Sequence, residues 1–324
     1  MAVRKIAGPK TIRKASVKRA WSLESHEDGT LTFRLSSWSH FFDFLETEVF
    51  QLHPGFKQSY IWRGQRRKDW SLSSSLDRLF SQLGILGAGP LELERRLAEH
   101  LDAFKHAARG RRGPNPAILS DEYWWALGQH FGLATPLLDW SRSPFAAAYF
   151  AFEELGSDPT DFRVVYGLSE NAVKAKNDEI AAAWDLDRAR TSARERVTVE
   201  LARKSNESSE IVTGETGKDS AEFSTATERQ STIHFIDPMS DENQRLVSQG
   251  GLFTRAPIGV PIERWVAQGF TGSQSPVLLR IEIPNSDRQQ CLRTLDRMNI
   301  NHLSLFPDLS GASRWTNLKL ELES

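Results

Sequence analysis

The spacing of apolar residues divides the chain into short strands and amphipathic helices. Alternating or uniformly apolar runs bounded by glycine and proline are typical of strands, whereas apolar residues three and four apart are typical of helices. Strands are predicted at residues 30–34, 58–64, 163–168, 251–254 and 277–283, with a strand and turn at 303–308. Helices are predicted from Ser36 and over residues 90–108, 120–130, 145–155, 178–204 and 286–298. Few strand–helix–strand units alternate, so the pattern favours an α+β fold with a mixed, mostly antiparallel sheet and flanking helices.

Two predicted helices have a well-defined apolar face. In the helix that begins at Ser36, this face consists of Trp38, Phe41, Phe42 and Leu45. In the helix over residues 90–108, it consists of Leu91, Leu93, Leu97, Leu101 and Phe104. Because amphipathic helices bury their apolar stripe, these side chains are expected to face the core.

Polar regions of the chain predict its domain organisation. The N-terminal region contains seven Lys or Arg residues and no acid before Glu24, so residues 1–25 are interpreted as a flexible basic tail. Such a tail can also contact the phosphates of a nucleic acid. Residues 26–324 are assigned to one domain, with a polar surface insertion at about 170–231 whose Ser- and Thr-rich part begins near residue 205.

The composition is that of an ordinary globular protein and excludes several classes of function. Of the 324 residues, 39% are apolar and 26% are charged, and the net charge of -1 gives no global field that would mark a nucleic-acid binder. The single cysteine, Cys291, excludes an internal disulfide and a cysteine-based zinc site, and it is interpreted as a packed helix residue. No apolar run is long enough to span a membrane and no secretory signal is recognised, so a cytoplasmic location is expected.

Motifs of several large enzyme classes are also absent. The eight His residues have no ligand-like spacing, so no metal is predicted. The chain contains no Gly-x-Ser-x-Gly elbow, no Gly-x-x-x-x-Gly-Lys phosphate loop and no Gly-x-Gly-x-x-Gly fingerprint. These absences exclude hydrolases of the elbow type, P-loop nucleotidases and Rossmann dehydrogenases.

Arg63 and Gly64 follow the most apolar part of a predicted strand. An arginine in this position can deliver its planar, five-donor guanidinium into a cleft, or it can pair with a carboxylate in the core. The glycine after it allows another backbone or a ligand to approach closely.

The segment 129–140 places polar residues among Phe, Leu and Trp side chains, just before a helix that is expected to be buried. Polar groups in such surroundings are either hydrogen-bonded or functional. His130 is interpreted as a general base, or as a residue that fixes a loop by bonding a backbone carbonyl. Asp139 is interpreted as a site residue, or as the cap of the helix that follows.

Several motifs together resemble the FRG domain family, over about residues 38–315. They comprise residues 61–65, 70–72 with Ser75, Leu76 and Arg78, 129–140, 143–144 with 148–151, Arg245 with 249–254, and 305–309 with Gly311 and Ala312. The family usually has a basic residue where this chain has Pro136, so an anion contact from that position is lost here. The resemblance implies a bacterial protein, with conflict between bacteria and phages as its setting, and it leaves the activity open.

The order of three motifs is also similar to that of mono-ADP-ribosyltransferases. A strand that ends in arginine and glycine precedes a Ser-x-Ser segment leading into an Ala- and Phe-rich helix, and a Gly-x-Phe strand comes later. This similarity implies an ADP-ribosyltransferase-like fold with NAD as substrate, in which Arg63 clamps the diphosphate and Ser141 supports it. The residues that it assigns to NAD are Arg63, Gly64, Gln65, Gln129, Ser141, Ser143 and Phe253.

Enzymes of that class also need a carboxylate on a late strand, which stabilises the transition state. Near the expected position, the chain has Gln244 and Arg245 instead. The alternative carboxylates are Asp241, Glu242, Glu282 and Asp308.

Three hypotheses for function follow. The first is a nucleotide-handling domain that transfers ADP-ribose from NAD or cleaves NAD, with Arg63, His130, Asp139 and Gln249 as catalytic residues. The second is a non-catalytic module that recognises a nucleotide-like small molecule or a nucleic-acid end, helped by the basic tail. Both require Arg63 and the segments 129–140 and 249–253 to form one pocket. The third is a metal-independent nuclease with His130 and His234 as acid and base.

Overall fold

The sheet of this protein is mixed and mostly antiparallel. The computed structural model describes residues 20–50, 60–113, 116–155, 160–204, 231–237, 249–273 and 275–323. The strands are β1 (Trp21–Glu27), β2 (Thr30–Leu35), β3 (Tyr60–Gln65), β4 (Leu137–Ser141), β5 (Phe162–Ser169), β6 (His234–Ile236), β7 (Gly251–Arg255) and β8 (Leu278–Pro284). They form one eight-stranded sheet in the order β1-β2-β8-β5-β3-β4-β7-β6. Neighbours are antiparallel except β2 and β8, so the predicted α+β fold is confirmed.

Helices flank this sheet. They are α1 (Phe41–Phe44), α2 (Ser75–Gln82), α3 (Pro90–Ala107), α4 (Asp121–His130), α5 (Pro144–Phe152), α6 (Glu170–Lys204), α7 (Ile262–Gly269), α8 (Arg288–Arg297), α9 (His302–Leu305) and α10 (Leu309–Glu323). A 3-10 turn at Trp38–His40 leads into α1, and a π-helical turn at Leu45–Phe50 follows it. Among the described residues, no helix combines the length and the apolar character that crossing a membrane requires.

Apolar layers cover the sheet on both faces. Successive side chains of a strand point to opposite faces, and Trp62 and Ile61 of β3 accordingly lie in different apolar clusters. The cluster around Trp62 includes residues of α1, α5 and α8, among them the fully buried Cys291. The cluster around Ile61 includes residues of α7. A third cluster lies between α2, α3 and α4 and the β4–β7 end of the sheet.

Helix α5 lies directly on β3 at Gly64. A Cβ atom at Gly64 would lie 1.9 Å from the carbonyl oxygen of Ala147 and 2.5 Å from the amide nitrogen of Ala151. These distances are far below van der Waals contact, so only glycine permits this packing. The expectation that Gly64 allows a second backbone to approach closely is confirmed, and that backbone is α5.

The predicted strand and turn at 303–308 is wrong. The segment begins inside helix α9, which Asn301 caps by accepting hydrogen bonds from the amides of Leu303 and Ser304 at 3.0 and 3.1 Å. The Ser304 hydroxyl in turn accepts from the Asn301 amide at 3.1 Å. This reciprocal cap is a stronger local signal than the short apolar run that suggested a strand.

Two residues predicted to face the core are exposed instead. Phe42 is 57% exposed and Leu91 is 46% exposed. Around Phe42 the chain passes from a 3-10 turn through α1 to a π-helical turn, so a single helical period does not hold there. Leu91 precedes Leu93 by two residues, which places it about 200° around the helix from the buried stripe.

Element boundaries also differ from the predicted ones. Strand β1 begins at Trp21, so the sheet includes residues that were assigned to the basic tail. Helix α6 begins at Glu170, directly after β5, and occupies the first part of the predicted insertion. Residues 1–19 of the predicted tail and residues 205–230 of the predicted insertion lie outside the described residues.

Replacing Gly64 with alanine tests the contact between α5 and β3. Gly64→Ala is expected to lower the free energy of unfolding by about 3 kcal/mol or more, because the new methyl group forces two backbones apart. Urea-induced unfolding measures this loss. As a control, Gly87→Ala adds a methyl group where no atom lies within 4 Å, and it is expected to change stability by less than about 0.5 kcal/mol. Equal stabilities of the two variants would contradict the proposed packing role.

Candidate functional site

Arg63 is held in place without being closed off in an ion pair. Its Nη1 donates to the backbone oxygen of Asp139 at 2.7 Å, and the same atom lies 3.7 Å from the Asp139 carboxylate. The side chain is 22% exposed, and its buried Nε has no hydrogen-bond partner among the described residues. Removal from water lowers the pKa of Arg63, an effect that Asp139 opposes and the positive charge of Arg78 reinforces. The guanidinium therefore keeps donor capacity for another group.

Two joined hollows open beside this guanidinium, and we call them together the Arg63 cleft. The larger hollow has a volume of about 630 Å³ and the smaller one about 270 Å³. The residues that line both are Arg63, Gly64, Phe150 and Glu153. Because Phe150 lies in the last turn of α5 and Glu153 directly follows this helix, the contact of α5 with Gly64 sets the shape of the cleft.

The smaller hollow brings together residues from three distant segments. Asp139 and Ser141 of β4 and Gln249 line it with Arg63. The Ser141 hydroxyl donates to the backbone oxygen of Gln249 at 2.7 Å and accepts from the Ser143 amide at 3.0 Å. The Gln249 side chain donates to the Leu305 carbonyl at 3.0 Å. Ser141 thus fixes the Gln249 turn against the end of β4, and this joins the segments that the sequence predicted to meet.

Asp139 is oriented by Gln129 and does not cap helix α5. Gln129 Nε2 donates to Asp139 Oδ1 at 2.7 Å, and the Thr135 hydroxyl donates to the Gln129 oxygen. The cap of α5 is Ser143, whose hydroxyl accepts from the Ala146 amide at 3.2 Å. The capping alternative for Asp139 is therefore wrong. Gln129 acts through Asp139, and it does not itself line either hollow.

Two further predicted site residues lie away from the Arg63 cleft. His130 is exposed at the C-terminal end of α4, with its ring edge-on to Phe131 at a centroid distance of 4.9 Å. Phe253 is 2% exposed and packs in the cluster between α2, α3 and α4. Its predicted contact with a ligand is corrected to a role in the core. The residues of strand β7 are apolar on both faces, so the sequence did not show which face lies near the cleft.

Two residues of the sequence motifs that had been given no role, Trp70 and Arg78, line the larger hollow. Trp70 is 43% exposed there, and the Arg66 guanidinium lies 5.0 Å from the centre of its ring. Arg78 lines the same hollow and donates to the Ser73 carbonyl at 2.7 Å. Gln65, which the sequence assigned to NAD, also lines this hollow; it is 6% exposed, and its Oε1 has no hydrogen-bond partner among the described residues. The sequence signal for this part of the hollow was a tryptophan that follows several arginines within a few residues.

The carboxylates considered from the sequence do not face Arg63 in the described structure. Glu282 is buried in ion pairs with Arg34 and Arg280 at 2.7 and 3.0 Å. Asp308 accepts a hydrogen bond from the Gly311 amide at 2.8 Å in the first turn of α10. Residues 241, 242, 244 and 245 lie outside the described residues.

Glu153 is a further carboxylate of the Arg63 cleft. It lines both hollows of the Arg63 cleft, directly after the last residue of α5. It was not among the carboxylates considered from the sequence, because a late strand was expected to supply that group. The available signal was an acidic pair, Glu153 and Glu154, that ends the most apolar helix of the chain.

The fold and site define an α+β domain with an arginine-lined cleft where a buried helix lies on the sheet. A family model of the FRG domain matches residues 58–159. This segment carries β3, α5 and most of the cleft, including Arg63, Asp139, Ser141 and Glu153. Over this segment, which is about a third of the chain, the sequence is similar to the FRG domain family. No curated protein and no solved structure matches it significantly.

Removing the Ser141 hydroxyl tests how the smaller hollow is held together. Ser141 is 2% exposed, so Ser141→Ala leaves the Gln249 carbonyl and the Ser143 amide without their partner. The free energy of unfolding is expected to fall by about 1–3 kcal/mol, measured by urea denaturation. The matched change Ser39→Ala removes an exposed hydroxyl that bonds only Ser37 at 3.1 Å, and it is expected to cost less than about 0.5 kcal/mol. An unaltered Ser141→Ala protein would show that this link is dispensable.

Proposed function

We propose that the Arg63 cleft binds a nucleotide through its phosphates and base, and that the domain transfers ADP-ribose from NAD or cleaves NAD. The observation that carries this proposal is that Arg63 and Arg78 line one hollow beside the exposed ring of Trp70. Guanidinium groups bind phosphate oxygens in a bidentate manner, and an aromatic face accepts a nucleobase.

The guanidinium of Arg78 supports an anionic ligand in the larger hollow. Two of the carboxylates that line this hollow already have basic partners, since Asp69 pairs with Arg67 at 2.8 Å and Glu154 pairs with Arg66. Arg78 forms no ion pair among the described residues, whereas Arg63 lies 3.7 Å from the Asp139 carboxylate and Glu153 also lines the hollow. Arg78 is therefore the guanidinium that is free to pair with a phosphate group of the ligand.

The size of the hollow supports a ligand of nucleotide dimensions. Small-molecule sites typically have volumes of about 300–1,000 Å³, and the larger hollow has about 630 Å³. The smaller hollow continues past Arg63 towards Gln249 and Asp139. A dinucleotide can therefore place its phosphates at Arg63 and extend in both directions.

The nuclease hypothesis lacks comparable support. His130 is exposed at the end of α4, and His234 is exposed on the short strand β6. Neither lines the Arg63 cleft. The basic residues of the predicted tail, which were expected to contact nucleic acid, lie within residues 1–19, outside the described residues.

Binding of ADP-ribose tests the proposed phosphate site. Arg63→Gln and Arg78→Gln are each expected to weaken binding by at least about tenfold, because each removes a charge-assisted hydrogen bond. Isothermal titration calorimetry measures the dissociation constants. Arg95→Gln is the control, since Arg95 is exposed on α3 and pairs with Glu92 and Glu99.

The outcomes separate the hypotheses. Absence of ADP-ribose binding, or equal affinity of wild type and both cleft variants, would contradict the proposed function. Saturable binding of NAD without release of nicotinamide would instead indicate a recognition module.

Replacing Trp70 tests the proposed base platform. Stacking of a base on an aromatic ring contributes about 1–3 kcal/mol, so Trp70→Ala is expected to weaken ADP binding by about tenfold. Pyrophosphate has no base, and its affinity is expected to stay within about twofold. Competition with a fluorescent nucleotide measures both constants. A similar loss for both ligands would mean that Trp70 supports the arginines and does not hold the base.

A further inference from the structure

A run of ionisable groups leads from the Arg63 cleft into the core. Glu153 stands at the cleft, with its side chain 14% exposed. Its Oε2 lies 3.1 Å from His302 Nε2, at ion-pair distance. The contact lacks hydrogen-bond geometry, and neither atom has another hydrogen-bond partner among the described residues. The nucleotide-binding role proposed above does not use this run.

His302 is fixed from the side opposite Glu153. It is 4% exposed, and its ring stacks on Phe306 at a centroid distance of 5.0 Å and an angle of 18°. Its Nδ1 forms a hydrogen bond with the Tyr149 hydroxyl. Burial raises the pKa of Tyr149, so the hydroxyl keeps its proton and can donate to Nδ1. The other ring nitrogen, Nε2, faces Glu153.

The other carboxylates of the cleft are engaged by different groups. Asp139 accepts from Gln129, Asp69 from Arg67, and Glu154 from Arg66. Glu153 has an imidazole behind it and open space in front of it. A carboxylate in this setting is costly to bury unless it has a function or a fixed partner.

We propose that Glu153 is the catalytic carboxylate of the Arg63 cleft and that His302 and Tyr149 are its positioning residues. The inference rests on the proposed function, since NAD is the substrate. Glu153 accepts a proton from water, and the water oxygen forms a bond to C1′ of the nicotinamide ribose. The bond between C1′ and the nicotinamide nitrogen breaks, and its electron pair stays on that nitrogen. The products are ADP-ribose and nicotinamide, and the proton on Glu153 passes to solvent.

The direct test is Glu153→Gln, which keeps the size of the side chain and removes its basicity. Release of nicotinamide from NAD by the full chain is expected to slow by about 100-fold or more. Affinity for ADP-ribose, measured by calorimetry, is expected to stay within about threefold, which also shows that the variant is folded. Glu99→Gln, an exposed substitution on α3, serves as the control and is expected to keep the wild-type rate.

A second set of variants distinguishes catalysis from structure. In Glu153→Ala, added formate is expected to restore part of the lost rate, because a small carboxylate can occupy the vacated space. Tyr149→Phe is expected to lower kcat about tenfold with KM unchanged, since the imidazole loses the hydroxyl that holds its ring in place. A purely structural role would lower stability and affinity without rescue by formate.

Each failure has a distinct meaning. Wild-type turnover that persists in Glu153→Gln overturns this inference and leaves the proposed function standing. Binding of ADP-ribose by wild type with no release of nicotinamide also overturns it, while the binding site remains. If wild type binds neither ADP-ribose nor NAD, the proposed function fails, and the assignment of Glu153 fails with it.

Discussion

The contact between α5 and β3 at Gly64 is the constraint on which the rest of the site depends. The helix backbone approaches the strand so closely that no side chain could stand between them. As a result, the residue before this glycine, Arg63, and the residue after α5, Glu153, line the same cleft. These two side chains, one basic and one acidic, are about ninety residues apart in sequence. They line one cleft because residue 64 has no Cβ atom and the helix can therefore lie on the strand.

Unsatisfied polar atoms gather around this contact. Buried side-chain atoms without a hydrogen-bond partner, among the described residues, include Arg63 Nε, Gln65 Oε1, Glu153 Oε2 and His302 Nε2. The first three residues line the cleft, and the fourth lies directly behind it. Buried polar groups are normally paired, so such exceptions are expected at functional sites. The apolar layers on either face of the sheet supply the stability that allows them.

The sequence predicted the fold class and the convergence of its motifs better than it predicted the role of individual residues. Strong periodic signals identified strands β3, β5, β7 and β8 and helices α3 and α4, because each has a clear apolar pattern and recognisable ends. The alternative that Asp139 caps the following helix failed because Ser143, directly before α5, accepts the capping hydrogen bond from the Ala146 amide. Glu153 was not identified because its position in the cleft results from the packing of α5 against Gly64, which no local pattern records.

The most direct test is a crystal structure of the protein with ADP-ribose, the part of NAD that the cleft is proposed to hold. The diphosphate should lie within hydrogen-bond distance of Arg63 and Arg78, the adenine should lie against Trp70, and the terminal ribose should face Glu153. ADP-ribose bound outside this cleft, or bound inside it with its phosphates away from both arginines, would contradict the assignment.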